Sequence, residues 1–271
     1  MEDPVLTEAQ FKKYSDLLYT RTGISLPVHK LYLAEARLAR FVGPGKPFAK
    51  HQSFFEALEA DPDGDGMELF INALTTNFSY FFRDPIHFEA LAWYIQERGP
   101  TSPALRFWSA ASSTGEEAYS MAITLLRHQG HLPADTKILA TDISTKVLAQ
   151  AQTAQYPAET INRTLSPTEI SRYFRDLGNG TVEVRPEVRA PVSFRHLNLK
   201  EPFPLNRSMD IVFLRNVLIY FDKASKEDVV HRIERILRPG GLLIVGLSES
   251  LVELKHPLKM LRNSLYQKTG V

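Results

Sequence analysis

Apolar positions in the first 75 residues recur at helical spacing, with no alternating run among them. Phe11, Tyr14, Leu17 and Leu18 share one face of a segment that opens on Thr7, with Gln10 completing a capping box and Gly23 as its stop. A second helix is expected over residues 30–41. A third lies behind a Ser53-x-x-Glu56 box with Phe54, Phe55 and Leu58 apolar, and a fourth carries Met67, Leu69, Phe70, Ile71 and Leu74. Asp84-Pro85 then reads as N-cap and first-turn proline of a helix reaching Arg98.

Beyond residue 100 the pattern changes. Continuous apolar runs near residues 105–110, 137–143, 209–214 and 242–247 alternate with helical stretches, which predicts a buried, mainly parallel sheet with helices against it. Residues 181–185 and 192–199 alternate instead. They are expected to form small antiparallel strands, placed between a short helix at 167–174 and the rest of the sheet. Residues 222–237 read as a further helix, and 259–268 as a last antiparallel piece. The fold class is α/β, preceded by a small all-α region. Its expected divisions are 1–75 (helical), 76–90 (a linker) and 91–271 (the sheet domain, with an insert at about 173–198).

Composition changes this picture mainly by exclusion. The chain has 271 residues, a formal net charge of +1 and no cysteine, which excludes a disulfide scaffold, a thiolate metal site and a cysteine nucleophile. No apolar run approaches ~18 residues, and the opening Met-Glu-Asp-Pro carries two acids and no apolar core, so a soluble cytoplasmic protein is expected. Asp61-Pro-Asp-Gly-Asp-Gly66 lacks the length and closing Glu of a calcium loop, and no metal is expected. Locally, Arg21, Lys30, Arg37, Arg40, Lys46 and Lys50 face the single acid Glu35, a net of +5 between residues 21 and 50. That surface is either a solvated helix face or a dock for an acidic partner. With little aromatic interleaving and a neutral whole, nucleic acid is not the expected partner.

The chemistry centres on residues 105–119, a short apolar run, then a turn of small residues, then an acidic helix start. Ala110, Ala111, Ser112, Ser113 and Gly115 allow close backbone approach to a ligand. A phosphate cradle would place Gly, Lys or Arg at the helix start. Here Glu116 and Glu117 repel phosphate and attract a cation, which favours S-adenosylmethionine over NAD or ATP. Asp142, at the end of the second predicted strand, is the acid expected on ribose hydroxyls, or else the N-cap of the next helix, a role that Ser144 could fill. Between the two regions, residues 75–83 mix packing aromatics with Asn77, Ser79 and Arg83, polar groups that core packing does not explain.

Together these stretches resemble the CheR-type chemoreceptor glutamate O-methyltransferases. The matching pieces are residues 74–83 (LTTNFSYFFR), 108–120 (WSAASSTGEEAYS), 140–143 (ATDI), 197–199 (LNL), 214–222 (LRNVLIYFD) and 246–250 (GLSES), in the family's order. The resemblance implies a Rossmann-like class I methyltransferase domain that uses S-adenosylmethionine and yields S-adenosylhomocysteine. It implies cofactor contacts at Asn77, Ser79, Arg83, Glu116, Asp142, Asn198, Leu199, Arg215 and Asn216, with Arg83 and Tyr220 beside the reacting methyl group. It also implies, as partner, the cytoplasmic helices of methyl-accepting receptors; the +5 segment then supplies Arg37, Arg40 and Lys46 as the expected substrate-docking residues, and a monomer is expected. Ser79 and Leu214 stand where Thr and Cys are common, and Leu247 replaces a frequent His. Members that capture a receptor C-terminal pentapeptide tend to have a longer glycine-containing loop in the insert. The short loop at 176–180 here predicts no tight capture. Three other readings compete: a NAD oxidoreductase, disfavoured by the missing Gly-x-Gly-x-x-Gly, a non-catalytic adenosyl-ligand sensor, and a methyltransferase for a small carboxylic acid.

Overall fold

The computed structural model describes residues 5–128, 130, 132–161, 163–205 and 208–270. Residues 1–4, which carry the two acids read above, lie outside the described residues. The chain divides into two compact units, one running to Thr76 and including Tyr220–Ser225, the other made of Asn77–Ile219 and the chain from Lys226 onward.

The first unit is helical. Helix α1 (Glu8–Thr22) starts on the Thr7–Gln10 capping box and stops at Gly23, whose φ of 75° is the left-handed conformation a side chain would resist. Helices α2 (Leu31–Leu38), α3 (His51–Ala60) and α4 (Asp65–Leu74) follow. Their apolar stripes meet in one core that includes Phe11, Tyr14, Leu18, Leu38, Phe54, Leu58, Met67 and Phe70. The Tyr14 hydroxyl lies inside it and donates to the His51 carbonyl at 2.9 Å, so this buried hydroxyl is paired.

One expectation fails in detail, and a second residue has a role that was not expected. Ser53 is not an N-cap. Helix α3 begins two residues earlier, behind Lys50, and the Ser53 hydroxyl donates back to the Lys50 carbonyl from within the first turn. Arg37, expected on a docking face, is half-buried and donates from Nη1 to the carbonyls of Leu74 (2.9 Å) and Thr75 (3.1 Å) and from Nη2 to Thr76. Its guanidinium closes the carbonyl end of α4, where unsatisfied oxygens and the helix dipole both favour a cation.

The second unit opens with α5 (Pro85–Arg98) and then alternates strand and helix: β1 (Arg106–Ala110), α6 (Glu116–Arg127), β2 (Lys137–Asp142) and α7 (Thr145–Thr153). Next come β3 (Gln155–Pro157), α8 (Ala158–Ile161), α9 (Pro167–Tyr173), β4 (Phe174–Asp176), β5 (Thr181–Val184), α10 (Pro186–Arg189) and β6 (Val192–His196). Strand β7 (Met209–Leu214), α11 (Lys223–Ile236) and β8 (Leu237–Val245) precede the terminal hairpin β9 (Lys259–Arg262) and β10 (Leu265–Gln267). The main sheet has the order β6-β2-β1-β7-β8-β10-β9. Its first five strands are parallel, and β10 runs antiparallel to β8. The order reverses beside β1, so the crevice at the carboxyl ends of β1 and β7 is the place a doubly wound sheet offers a ligand.

The small sheet differs from expectation. It has the order β3-β5-β4, with β3 contributed from residues 155–157 that no pattern marked. The run at 192–199 does not join it. Strand β6 pairs parallel with β2 at the rim of the main sheet, where one covered face and one open face produce the alternation taken for a separate subdomain.

Candidate active site

The crevice is assembled from the chain ends that follow β1, β2, β6, β7 and β8. After β1, Ala111, Ser113 and Gly115 all have positive φ (69°, 50° and 94°), which coils five residues into a tight turn. A Cβ on Gly115 would sit 2.8 Å from Ala151 and 3.0 Å from the Tyr156 hydroxyl, so the turn depends on glycine for packing as well as for φ. The Ser112 amide donates to the Thr141 carbonyl at 2.8 Å and the Ser113 amide to Asp142 Oδ2 at 2.9 Å, which locks the turn against the end of β2.

Asp142 is buried. Its Oδ1 accepts from the Ser144 amide at 2.9 Å, while Ser144 itself caps α7, so the carboxylate is a turn anchor and not the helix cap. Desolvation raises its pKa, and the amides of Ser144, Ser113 and Ile143 oppose that rise. Leu197, after β6, donates its amide to the Asp142 carbonyl, which brings Asn198 and Leu199 to the same strand end. There the Asn198 side chain accepts from the Lys200 amide and donates to Glu201.

The acidic pair at the start of α6 divides. Glu116 is almost fully buried, and its carboxylate is held by the Thr114 hydroxyl at 2.7 and 2.9 Å; burial raises its pKa, with Thr114 working the other way. Glu117, read from sequence as a second attractor of a cation, is already neutralised. It accepts from Ser109 Oγ and from Arg215 Nη1, each at 2.7 Å.

Arg215, expected as a cofactor contact, accordingly has another task for its side chain. It is 5 % exposed, and Nη2 donates to the Arg83 carbonyl at 2.6 Å and to Asp84 at 2.7 Å. Asp84 likewise corrects its expected role: at φ 56° it makes no side-chain cap to α5 and serves Arg215 instead. Arg83 is half-buried, with Nη1 donating to the Phe78 carbonyl at 3.0 Å and its guanidinium over the rings of Phe78 and Tyr80. Asn77 and Ser79 lie half-buried in the same segment. Asn216, after β7, takes φ 57°, a conformation Asn tolerates, and its amide donates to Glu249 at 2.7 Å. Tyr220 belongs to the helical unit, where its carbonyl accepts from the Ser25 amide at 2.8 Å.

Three features went unread in the sequence. Ser112 and Ser113 each have a buried hydroxyl without a partner among the described residues, in the turn chosen above only for small size. Glu249 is buried and accepts from the amides of Gly246, Asn216 and Ile219; the GLSES motif contained it without assigning a role. Unpaired buried hydroxyls beside Glu116 and Asp142, two carboxylates whose pKa values burial raises despite their hydrogen bonds, are costly as they stand. A nucleoside-like cation would supply donors for the carboxylates and polar atoms for the hydroxyls, so these residues fit S-adenosylmethionine.

The family model for the CheR methyltransferase SAM-binding domain matches residues 77–266. The chemotaxis protein methyltransferase of Klebsiella aerogenes is 39% identical over 270 residues, covering 97% of this chain and 91% of that protein. The chemotaxis protein methyltransferase of Salmonella typhimurium is 38% identical, covering 96% of this chain and 90% of that protein. Chemotaxis protein methyltransferase 2 of Pseudomonas aeruginosa is 37% identical over 96% of this chain and 93% of its own length.

Proposed function

The chain belongs to the CheR methyltransferase family, and from that premise we propose that it methylates glutamate side chains on the cytoplasmic helices of methyl-accepting chemotaxis receptors. Its cofactor is S-adenosylmethionine, which supplies a methyl group activated by a sulfonium charge. The observation that supports the reading most is the buried Glu116 carboxylate at the α6 N-terminus, where a phosphate-binding protein would present bare amides.

In this reading Asp142 accepts from the ribose hydroxyls, Glu116 faces the cationic end of the cofactor, and the Ser112 and Ser113 hydroxyls meet polar atoms of the ligand. A glutamate with an ordinary pKa of about 4.3 is ionised at neutral pH, so the chain needs no general base. Arg83, fixed by the Phe78 carbonyl and two rings, orients the substrate carboxylate through the oxygen that does not attack; a tight bond to the attacking oxygen would blunt it. Tyr220 shares the task of alignment, whose ceiling is ~7–11 kcal/mol for well-oriented reactants. Arg40 and Lys46 serve as docking cations for an acidic receptor surface, Arg37 being committed to α4. The insert captures no receptor pentapeptide tightly.

Labelled S-adenosylmethionine incubated with a receptor cytoplasmic fragment tests this. Base-labile label on the fragment is expected, and it should disappear when the target glutamates are replaced by alanine. Cofactor binding without transfer to the fragment would instead favour a sensor, and transfer to small carboxylic acids alone would favour the small-molecule reading.

A further inference from the structure

Arg232 projects from α11, and its charged side chain is only 15 % exposed. Its Nη2 donates to the Leu199 carbonyl at 2.5 Å and its Nη1 to the Glu201 carbonyl, both on the loop that follows β6. Nε and Nη2 also meet Asp228, one turn back on the same helix, at 3.0 and 2.8 Å. The guanidinium carbon lies 4.5 Å from the centre of the Phe203 ring, and that ring packs edge-on against Trp108 of β1 with centroids 5.0 Å apart. Within the loop, Asn198 Oδ1 accepts from the Lys200 amide and the Asn198 carbonyl from the Glu201 amide, each at 3.0 Å, while Asn198 Nδ2 donates to Glu201 at 3.1 Å. Residues 198–201 are thus a closed turn. The Leu197 amide ties it to the Asp142 carbonyl at 3.1 Å, and Arg232 ties it to α11.

We propose that Arg232 is a positioning residue for S-adenosylmethionine, holding the turn at 198–201 in the shape that touches the cofactor without touching the cofactor itself. The proposal rests on the reading that Asn198 and Leu199 border the cofactor. Supporting that reading, the Leu197 bond brings both to the strand end that carries Asp142. The side-chain oxygen and nitrogen of Asn198 bond within the turn, so what the turn offers a ligand is its backbone and the Leu199 side chain, whose places follow from its shape. An arginine fork fixes two carbonyls at once and so sets that shape, where a lysine would supply a single point charge. Asp228 is 64 % exposed, which screens the ion pair and leaves the effect to the carbonyl bonds. A turn ordered in advance also lowers the entropic cost of binding.

The test uses the whole protein, with S-adenosylhomocysteine as the calorimetric probe and amide hydrogen exchange as the local one. Arg232→Met keeps an apolar stem over Phe203 and removes the donors. Its Kd for the probe should rise about tenfold, and the amides of Lys200 and Glu201 should exchange faster while those of β1 do not. Arg232→Lys should recover part of the affinity, and Asp228→Asn should leave Kd within about twofold of wild type. Because the arginine acts through the turn, Arg232→Met should add little in an Asn198→Ala background, where the turn is already loose. A role in general stability alone would lower the denaturation midpoint and leave the Kd of the folded protein unchanged. A raised Kd in Asn198→Ala beside a wild-type Kd in Arg232→Met overturns the role of the arginine alone. Faster exchange with an unchanged Kd in both variants overturns the reading that this turn borders the cofactor, and the proposal with it. If Arg232→Met fails to fold, Arg232→Lys carries the same comparison, with a smaller rise in Kd expected and a wild-type Kd overturning the proposal.

Discussion

Asp142 anchors the turn after β1 to the end of β2, and the proposed function gives the same carboxylate the ribose hydroxyls. Each oxygen already accepts a backbone amide, yet burial keeps the carboxylate costly, so further donors from a ribose are worth making. Asp142→Ala should weaken cofactor binding ten- to hundredfold, the equivalent of roughly 1.5–3 kcal/mol for a charge-assisted bond; calorimetry giving an unchanged Kd would remove it from the site. Arg83 and Tyr220 should behave differently. If they align reactants, Arg83→Ala and Tyr220→Phe lower turnover more than cofactor affinity, whereas equal turnover at a raised cofactor requirement would show that they only bind. His87 sets a pH limit. It is buried against Ser264 near Arg215, and burial first, then that cation, holds its pKa down to about 4. The unfolded chain, with a histidine pKa of about 6.5, takes up the proton first as pH falls, so stability is complete above that value and declines between about 6.5 and about 4. Urea midpoints of wild type should fall across that window, and those of His87→Gln should fall less.

At the scale of elements, the ends of helices and strands do the organising. Helix α4 ends on the Arg37 guanidinium, not on a glycine, so Arg37→Ala should lower stability by about 1–2 kcal/mol through loss of charge-assisted bonds to carbonyls. A denaturation midpoint equal to wild type would show that water replaces the arginine without cost. Because of this role, reversing Arg37 would confound docking with folding. At the start of α6, Glu117 pairs with Arg215 beneath the turn while Glu116 is held by the Thr114 hydroxyl and, on the proposed function, meets the cationic end of the cofactor. Two adjacent glutamates in the sequence thus take different partners, Arg215 for Glu117 and Thr114 for Glu116, and helix geometry makes the division by turning successive side chains apart.

For the molecule as a whole, electrostatics bears on encounter more than on fold. The net charge of +1 is too small to steer a partner, so on the proposed function steering falls to a local cluster, the segment around Arg40 and Lys46, both exposed. Exposed contacts of this kind mainly change the rate of encounter and are screened over ~8 Å at physiological salt. Arg40→Glu/Lys46→Glu should therefore reduce receptor methylation several-fold at low salt and much less at high salt, with cofactor binding intact. A methylation assay across a salt series that shows no difference at low salt would leave this segment a solvated face.

What the sequence determined by itself was whatever local rules settle. Thr7 and Gln10 named the start of α1 and Gly23 its stop, because capping and left-handed geometry are decided within a few residues. The buried parallel strands were legible from continuous apolar runs, and the acidic turn after β1 already spoke against a phosphate ligand. The tertiary structure alone decided which polar residues are consumed and which remain available. Glu117 and Arg215 find each other across 98 positions of sequence, Asp84 turns from a cap into a partner of Arg215, and β6 joins the main sheet. Glu249 joins two loops that no periodicity relates. Partner choice of that kind depends on distance in space after the sheet has closed, and alternation or spacing along a chain contains no record of it.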